Sequence, residues 1–307
     1  MQLLTVGTVA FDDIETPFGR VEKAIGGAAT YISLAASYFA KQVRIVSVVG
    51  DDFPEAVLLD LRRRNIDLEG LDIKKGEKSF FWAGRYHVDM NSRDTLDTQL
   101  NVLANFNPVL PTSYRHSEFV MLGNLTPDIQ LSVIGQLAAK PKVLAMDTMN
   151  FWMDIAMDKL KEVLLKVDLV IINDAEARQL AGTHSLVRAA LAIHRMGPRF
   201  VVIKKGEHGA LLFEDENVFF APALPLADVF DPTGAGDTFA GGLMGYLAMT
   251  GELSFNNLKR AIIYGSAMAS FCVERFSTQR LLALTREEID ERIRQFVRLV
   301  DFDSIPV

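Results

Sequence analysis

Cysteine is almost absent from this chain: Cys272 is the only one among 307 residues. A single thiol cannot close an internal disulfide, so the setting reads as reducing and cytoplasmic. Cys272 itself lies in an apolar segment and reads as a small buried hydrophobe. Five scattered histidines offer no zinc-ligand spacing. Basic excess is also missing. The net charge is −7, which excludes nucleic acid or an anionic membrane as the main partner. The N-terminus has no basic region and reaches Asp12-Asp13 early, against a signal peptide. The longest uncharged helical run, around Ala261–Val273, falls short of the roughly 20 residues a bilayer span needs. Neither GxGxxG after the first strand nor GxxxxGK[ST] occurs. A dinucleotide-dependent oxidoreductase and a P-loop NTPase are therefore disfavoured. No low-complexity tract, charge block or internal repeat is visible.

Apolar residues, by contrast, make up 49% of the chain, enough for one large α/β core. Short β-branched runs alternate with helical patterns. The runs predict strands at Leu3–Gly7, Val43–Gly50, Phe119–Gly123, Val143–Asp147, Leu169–Asn173, Phe200–Lys205 and Ala210–Phe213. The 3.6-residue patterns predict helices at Ala28–Ala40, Pro54–Asn65, Asp128–Ala138, Lys159–Lys166, Ala175–Ala181 and Leu186–Met196. Three more are predicted at Gly236–Thr250, Asn256–Val273 and Arg286–Val300. Such alternation predicts a mostly parallel sheet with helices on both faces. Gly7, Gly50-Asp51, Gly123-Asn124, Asp147, Asn173-Asp174 and Lys205-Gly206 follow the strands, at the edge where open α/β sheets bind ligands. Thr8–Ala24 and about Ile73–Asn105 break the rhythm. Lys78–Val88 reads as a strand, Asp89–Asp94 as a turn and Thr95–Leu103 as a second extended segment. Together they predict a small sheet over the active edge.

The chemistry is concentrated in Asp231-Pro232-Thr233-Gly234-Ala235-Gly236-Asp237-Thr238-Phe239-Ala240-Gly241-Gly242. Small residues at 234–236 let backbone N–H groups approach an anion. The N-terminus of the helix that follows adds unpaired donors and a positive dipole end. Asp237 places a carboxylate inside that cradle. Phosphoryl transfer needs such parts: donors for the moving group and a base for the nucleophile's proton. A tight strand-to-helix turn capped by Asp would need fewer of these residues.

The stretch resembles the C-terminal signature of the ribokinase-like (PfkB) carbohydrate kinases, and the chain length suggests that the likeness spans the whole chain. It implies a three-layer αβα sandwich with a mostly parallel central sheet and a β-sheet lid, here about 8–24 and 73–105, in one domain over 1–307. It implies an anion hole at Gly234, Ala235 and Gly236, with Asp237 as catalytic base. Gly26-Gly27-Ala28-Ala29-Thr30-Tyr31 resembles the N-terminal signature, with Tyr31 or Thr30 standing where the family usually has a sugar-binding Asn. Asp13 by register, with Asp12 beside it, would accept hydrogen bonds from substrate hydroxyls. Asn173-Asp174-Ala175-Glu176 matches the family's Asn-x-x-Glu, associated with Mg²⁺ and phosphate positioning, Glu176 acting through water. A plain capping arrangement is the competing reading. Lys205 and Gly206 would touch the nucleotide and Ser266 would border the adenine. Asp231 and Thr233, with backbone near 275–278, occupy places where many relatives bind a monovalent cation such as K⁺. Asp147 and Asn150 are near-site residues; the family often shows Asp-x-Asn-x-Arg here, and this chain has no such Arg.

The resemblance thus implies ATP-dependent, Mg²⁺-assisted phosphoryl transfer to a hydroxyl of a sugar or sugar-like small molecule. It also implies that the lid can serve as a homodimer surface. An adenosine-type nucleoside kinase is the near alternative, with Phe81, Trp82 or Tyr86 stacking on a base. A catalytically silent sugar- or nucleotide-binding protein is the alternative of another class.

Overall fold

Strand residues here alternate between two apolar layers, and that alternation organises the molecule. The computed structural model describes residues 1–301. The first half of the chain contributes β1 (Gln2–Val6), β2 (Ala10–Thr16), β3 (Gly19–Gly26), α1 (Ala28–Ala36), β4 (Gln42–Gly50), α2 (Glu55–Arg63), β5 (Ile66–Lys74), β6 (Phe80–Tyr86), β7 (Arg93–Gln99), β8 (Phe119–Leu122) and α3 (Pro127–Gln136). There follow β9 (Val143–Met146), α4 (Asn150–Ile155), α5 (Met157–Leu164), β10 (Leu169–Asn173), α6 (Asp174–Ala181), α7 (Leu186–His194), β11 (Phe200–Lys204), β12 (Ala210–Glu214) and β13 (Asn217–Ala221). The chain closes with α8 (Ala235–Thr250), α9 (Phe255–Cys272), α10 (Gln279–Ala283) and α11 (Arg286–Val300).

The central sheet has nine strands in the order β13-β12-β11-β10-β9-β8-β1-β4-β5. Pairing is parallel from β11 to β5, and only β12 runs against its neighbours. Leu3, Phe119, Met121, Leu169, Ile171, Phe200 and Val202 face one core with α1, α2, α8, α9 and α11. Leu4, Val6, Val120, Leu122, Val170, Ile172 and Ile203 face the other with α3, α5, α6 and α7. Burial on both faces explains the unbroken apolar runs. The result is a three-layer αβα sandwich.

A second sheet of four strands, β3-β2-β6-β7, is built from 10–26 and 80–99. It leaves the central sheet after β1 and again after β5. It overlaps the two segments that broke the βα rhythm, although 66–74 belongs to the central sheet and 101–105 forms a 3-10 turn. Among the described residues, no helix is long and apolar enough to cross a membrane.

All seven predicted strands and nine predicted helices appear, with shifted ends: α1 stops at Ala36, not Ala40, and α8 opens at Ala235. The sequence did not reveal β5, β13, α4 or α10. Strand β5 is the sheet's edge and carries Asp67, Glu69, Asp72 and Lys74, so its composition reads as a solvated loop.

Candidate active site

The strand ends and the small sheet enclose a cleft of about 1420 Å³. Its floor is the turn into α8. Gly234 caps that helix in the left-handed region, at φ 73°. Thr238 N–H takes the Gly234 carbonyl at 2.8 Å and Ala235 N–H takes Pro232 at 3.2 Å. Gly236 and Asp237 keep their N–H groups without an acceptor among the described residues. Ala235 spends its donor inside the turn, whereas Gly234 N–H, like those of Gly236 and Asp237, has no acceptor among the described residues. They open on the cleft together with the Asp237 carboxylate.

Three further charged groups converge there. Asp147 follows β9, Glu176 lies on the first turn of α6, and Lys204 ends β11. Asp147 accepts Thr148 N–H at 2.8 Å, and its other oxygen lies 3.9 Å from Lys204 Nζ. Asn173 and Glu176 form a reciprocal capping box, with N–H to carboxylate at 2.7 Å and N–H to carboxamide at 2.8 Å. The capping arrangement is present, and Asn173 and Glu176 also line the cleft. Burial pushes Asp237 up to about 7; the Asp147 charge adds to this, and Lys204 and Arg93 oppose it. Burial and Asp147 likewise push Glu176 up to about 7. Burial alone would lower Lys204, but Asp147, Glu176 and Asp237 hold it above its ordinary value.

The opposite wall comes from the small sheet. In the parallel register of β2 and β6, Asp12 sits beside Trp82. Neighbouring strands are about 4.8 Å apart, so the carboxyl and the indole share one face. Asp12 is only 5% exposed. A Cβ on Gly26 would fall 1.9 Å from its Oδ2, so Gly26 makes room for the carboxyl. Burial first, and then the Asp231 and Asp237 charges, push Asp12 up to about 8. Phe80, Phe151 and Trp152 extend the aromatic lining, and the Trp152 indole donates to Asn124 at 2.8 Å. Arg93 reaches in from β7, its guanidinium 5.5 Å from the Trp82 ring centre.

The chain matches the pfkB family carbohydrate kinase description over residues 5–284. It belongs to that family. Its members are phosphotransferases with an alcohol acceptor. A cytidine kinase from Thermococcus kodakarensis is 31% identical over 253 residues, 80% of this chain and 88% of the relative. A nucleoside kinase from Methanothermobacter thermautotrophicus is 27% identical over 94% of both chains. A putative ribokinase II from E. coli, solved with ATP and Mg²⁺, shares the fold at a TM-score of 0.76 and 18% identity, covering 97% of this chain and 99% of the other.

Within this PfkB chain, several expected site residues need relocation. Asp13 points away from the cleft: it accepts Lys23 N–H at 2.7 Å and lies 3.6 Å from Arg20. Adjacent strand residues face opposite sides, so only one of Asp12 and Asp13 could enter. Lys205 leaves the cleft to lie near Phe220, and Lys204 enters instead. One residue of register decides this as well. Gly27 lines the cleft, while the Ala28 and Ala29 N–H groups that follow it both bind Thr8, at 3.0 and 2.9 Å. Tyr31 lines the cleft, while its buried hydroxyl meets no partner among the described residues. Phe81 packs on the core, and Tyr86 is buried with its hydroxyl 3.3 Å from Thr233. Neither can stack on a ligand; Trp82 can. Asn150 turns out to Gln179.

Gly206 and Ser266 line the cleft, and so does Thr233. Asp231 lies behind it, accepting Thr233 N–H and Ser277 N–H at 2.8 Å each. This ties the 231–233 and 275–278 segments together. Among the described residues, no group of three or more His, Cys, Asp or Glu is arranged around a metal. Cys272 is buried beside the Thr233 carbonyl at 3.5 Å, and burial pushes its thiol up to about 12, as befits an inert core residue.

Arg93 and Lys204 escaped the sequence reading. Arg93 lies on a strand with every residue exposed and no apolar alternation. Lys204 could have been found from strand phase, since Val201 and Ile203 face one core and Val202 the other.

Proposed function

We propose that this chain transfers the γ-phosphoryl group of ATP to a hydroxyl of a nucleoside, with Asp237 as general base. The observation that carries the reading is the meeting of Asp237 and the unpaired N–H groups of Gly234, Gly236 and Asp237 with a wall where Asp12 adjoins Trp82. The carboxyl suits ribose hydroxyls and the indole suits a planar base. A bare sugar would use only the first of these. The cytidine and nucleoside kinases among the relatives support the same choice.

In this mechanism the acceptor hydroxyl lies against Asp237, which takes its proton as the new O–P bond forms. Gly236 and Asp237 N–H groups take up charge on the transferring group. Glu176 offers the hard oxygen donor that Mg²⁺ favours, and one of its oxygens is already fixed by Asn173 N–H. Mg²⁺, when bound, neutralises charge on the donor phosphates. Asp231 and Thr233 would hold a monovalent cation. Gly206 and Ser266 border the nucleotide.

The whole chain acts as one catalytic domain. The small sheet serves as its lid, excluding water that would compete as nucleophile. Strand β7 is exposed along its whole length and offers an edge for a second copy of the chain. The lone buried thiol suits a cytoplasmic setting.

The test is ATP consumption with ADP detection, in Mg²⁺, across nucleosides, free sugars, sugar phosphates and inositols. Nucleosides should give the strong turnover. Turnover confined to free sugars would overturn the acceptor assignment, and an absence of both turnover and ATP binding would overturn the kinase reading.

A further inference from the structure

Lys204 has the placement of a ligand-binding cation. It pairs with Asn173 in the β10–β11 register, and its side chain turns into the cleft floor with only 15% exposure. Burying an ammonium is costly unless its donors are used. Yet Nζ makes no hydrogen bond among the described residues. The nearest carboxylate oxygen, on Asp147, is 3.9 Å away, beyond hydrogen-bond length. On its other side Nζ lies 3.0 Å from where a Cβ of Gly236 would sit. The Gly236 and Asp237 N–H groups also lack acceptors among the described residues. Three donors thus converge on one small volume, and all three are unspent. A lysine serving only to neutralise Asp147 would close the gap to it.

We infer that Lys204 is a further catalytic residue: its ammonium binds the phosphoryl group in transfer, together with the Gly236 and Asp237 N–H groups, and Asp147 is its resting counter-ion. This rests on the kinase reading above. The bond from the γ-phosphorus to the ADP oxygen breaks as the bond to the acceptor oxygen forms. The acceptor's proton passes to Asp237. Lys204 keeps all its protons and contributes hydrogen bonds and charge. The neighbouring carboxylates keep it charged while the cleft is buried.

The test compares ADP with a non-hydrolysable ATP analogue by calorimetry on the full chain, in wild type and Lys204→Met. A charged hydrogen bond to the γ-phosphoryl predicts a loss of about 10-fold or more for the analogue. ADP affinity should stay within a factor of about three, which also shows that the variant folds. The turnover number should fall by about 10²–10³-fold, as for loss of an oxyanion donor, and Lys204→Arg should recover part of it. On the pH plateau above the acid limb of Asp237, where the altered field of Asp147 no longer limits its ionisation, the double variant Lys204→Met/Asp147→Asn should stay as slow as the single one. Equal losses for ADP and analogue would overturn the assignment, and so would recovery of plateau turnover in the double variant. A wild type that binds neither nucleotide would instead overturn the kinase reading, and this assignment with it.

Discussion

The ring of Tyr31 lies against Gly234 so closely that a Cβ on Gly234 would fall 2.4 Å from two ring carbons. Helix α1 thereby holds the turn that opens α8, and the unpaired N–H groups of that turn inherit their position from a buried aromatic ring. The Tyr31 hydroxyl is buried without a partner among the described residues. Removing such a group is neutral or stabilising. Tyr31→Phe should therefore keep kcat and KM near wild type, with an unchanged or higher Tm. Gly234→Ala should lose about 2–5 kcal/mol, from a disfavoured left-handed backbone and from overpacking. Thermal melts and steady-state rates check both. A raised acceptor KM in Tyr31→Phe would show that the hydroxyl reaches the substrate.

Asp237 must be ionised to take a proton. Its carboxyl is held at about 7 by burial and by Asp147. The protonated form gains below that value, so kcat/KM should fall about tenfold per pH unit on the acid side and level off above it. Asp147→Asn removes a charge that raises Asp237, so the acid limb should move to lower pH. Asp237→Asn should cost about 10²–10⁴-fold in kcat while ATP still binds. A pH–rate series on the three proteins decides the matter; an acid limb that ignores Asp147 would remove Asp147 from the electrostatic account.

Trp82 stands next to Asp12 across the β2–β6 pairing. Stacking of a base on an aromatic ring is worth about 1–3 kcal/mol by alanine substitution. Trp82→Ala should raise the nucleoside KM by roughly 5- to 150-fold on that scale and leave the ATP KM alone. Initial-rate kinetics with each substrate varied in turn would show it. Equal effects on both would mean that the ring only supports the small sheet.

The layers of the fold were readable because strands buried on both faces leave unbroken apolar runs, and the helices between them keep a 3.6-residue period. The Gly234–Asp237 turn was readable because few other structures need that composition. What stayed hidden depended on single-residue phase. Asp12 and Asp13 are chemically alike, and so are Lys204 and Lys205. Only the pleat says which of each pair enters the cleft. Arg93 was hidden for another reason: its strand is exposed and charged, so nothing in its neighbours marks an inward side.

The choice between Asp12 and Asp13 has a consequence for stability as well as for binding. Burial, Asp231 and Asp237 hold Asp12 at about 8 in the folded protein, against an ordinary 3.8. Between those values the folded state binds a proton that the unfolded state has released. Stability from this group is thus full below about pH 4 and is lost as pH rises through about 8. The raised Asp237 and Glu176 act in the same direction, through about 7. The ligand-free protein should melt lower at pH 8 than at pH 6. Asp12→Asn should flatten that dependence and melt higher than wild type at pH 8, by about 2–4 °C for each kcal/mol recovered. The same variant should raise the acceptor KM, because it loses the acceptor's hydroxyl contact. Asp13→Asn touches only the Lys23 N–H and Arg20, so it should leave KM unchanged and cost about 0.5 kcal/mol at most. If Asp13→Asn raises the acceptor KM and Asp12→Asn does not, the pleat has been read in the wrong phase.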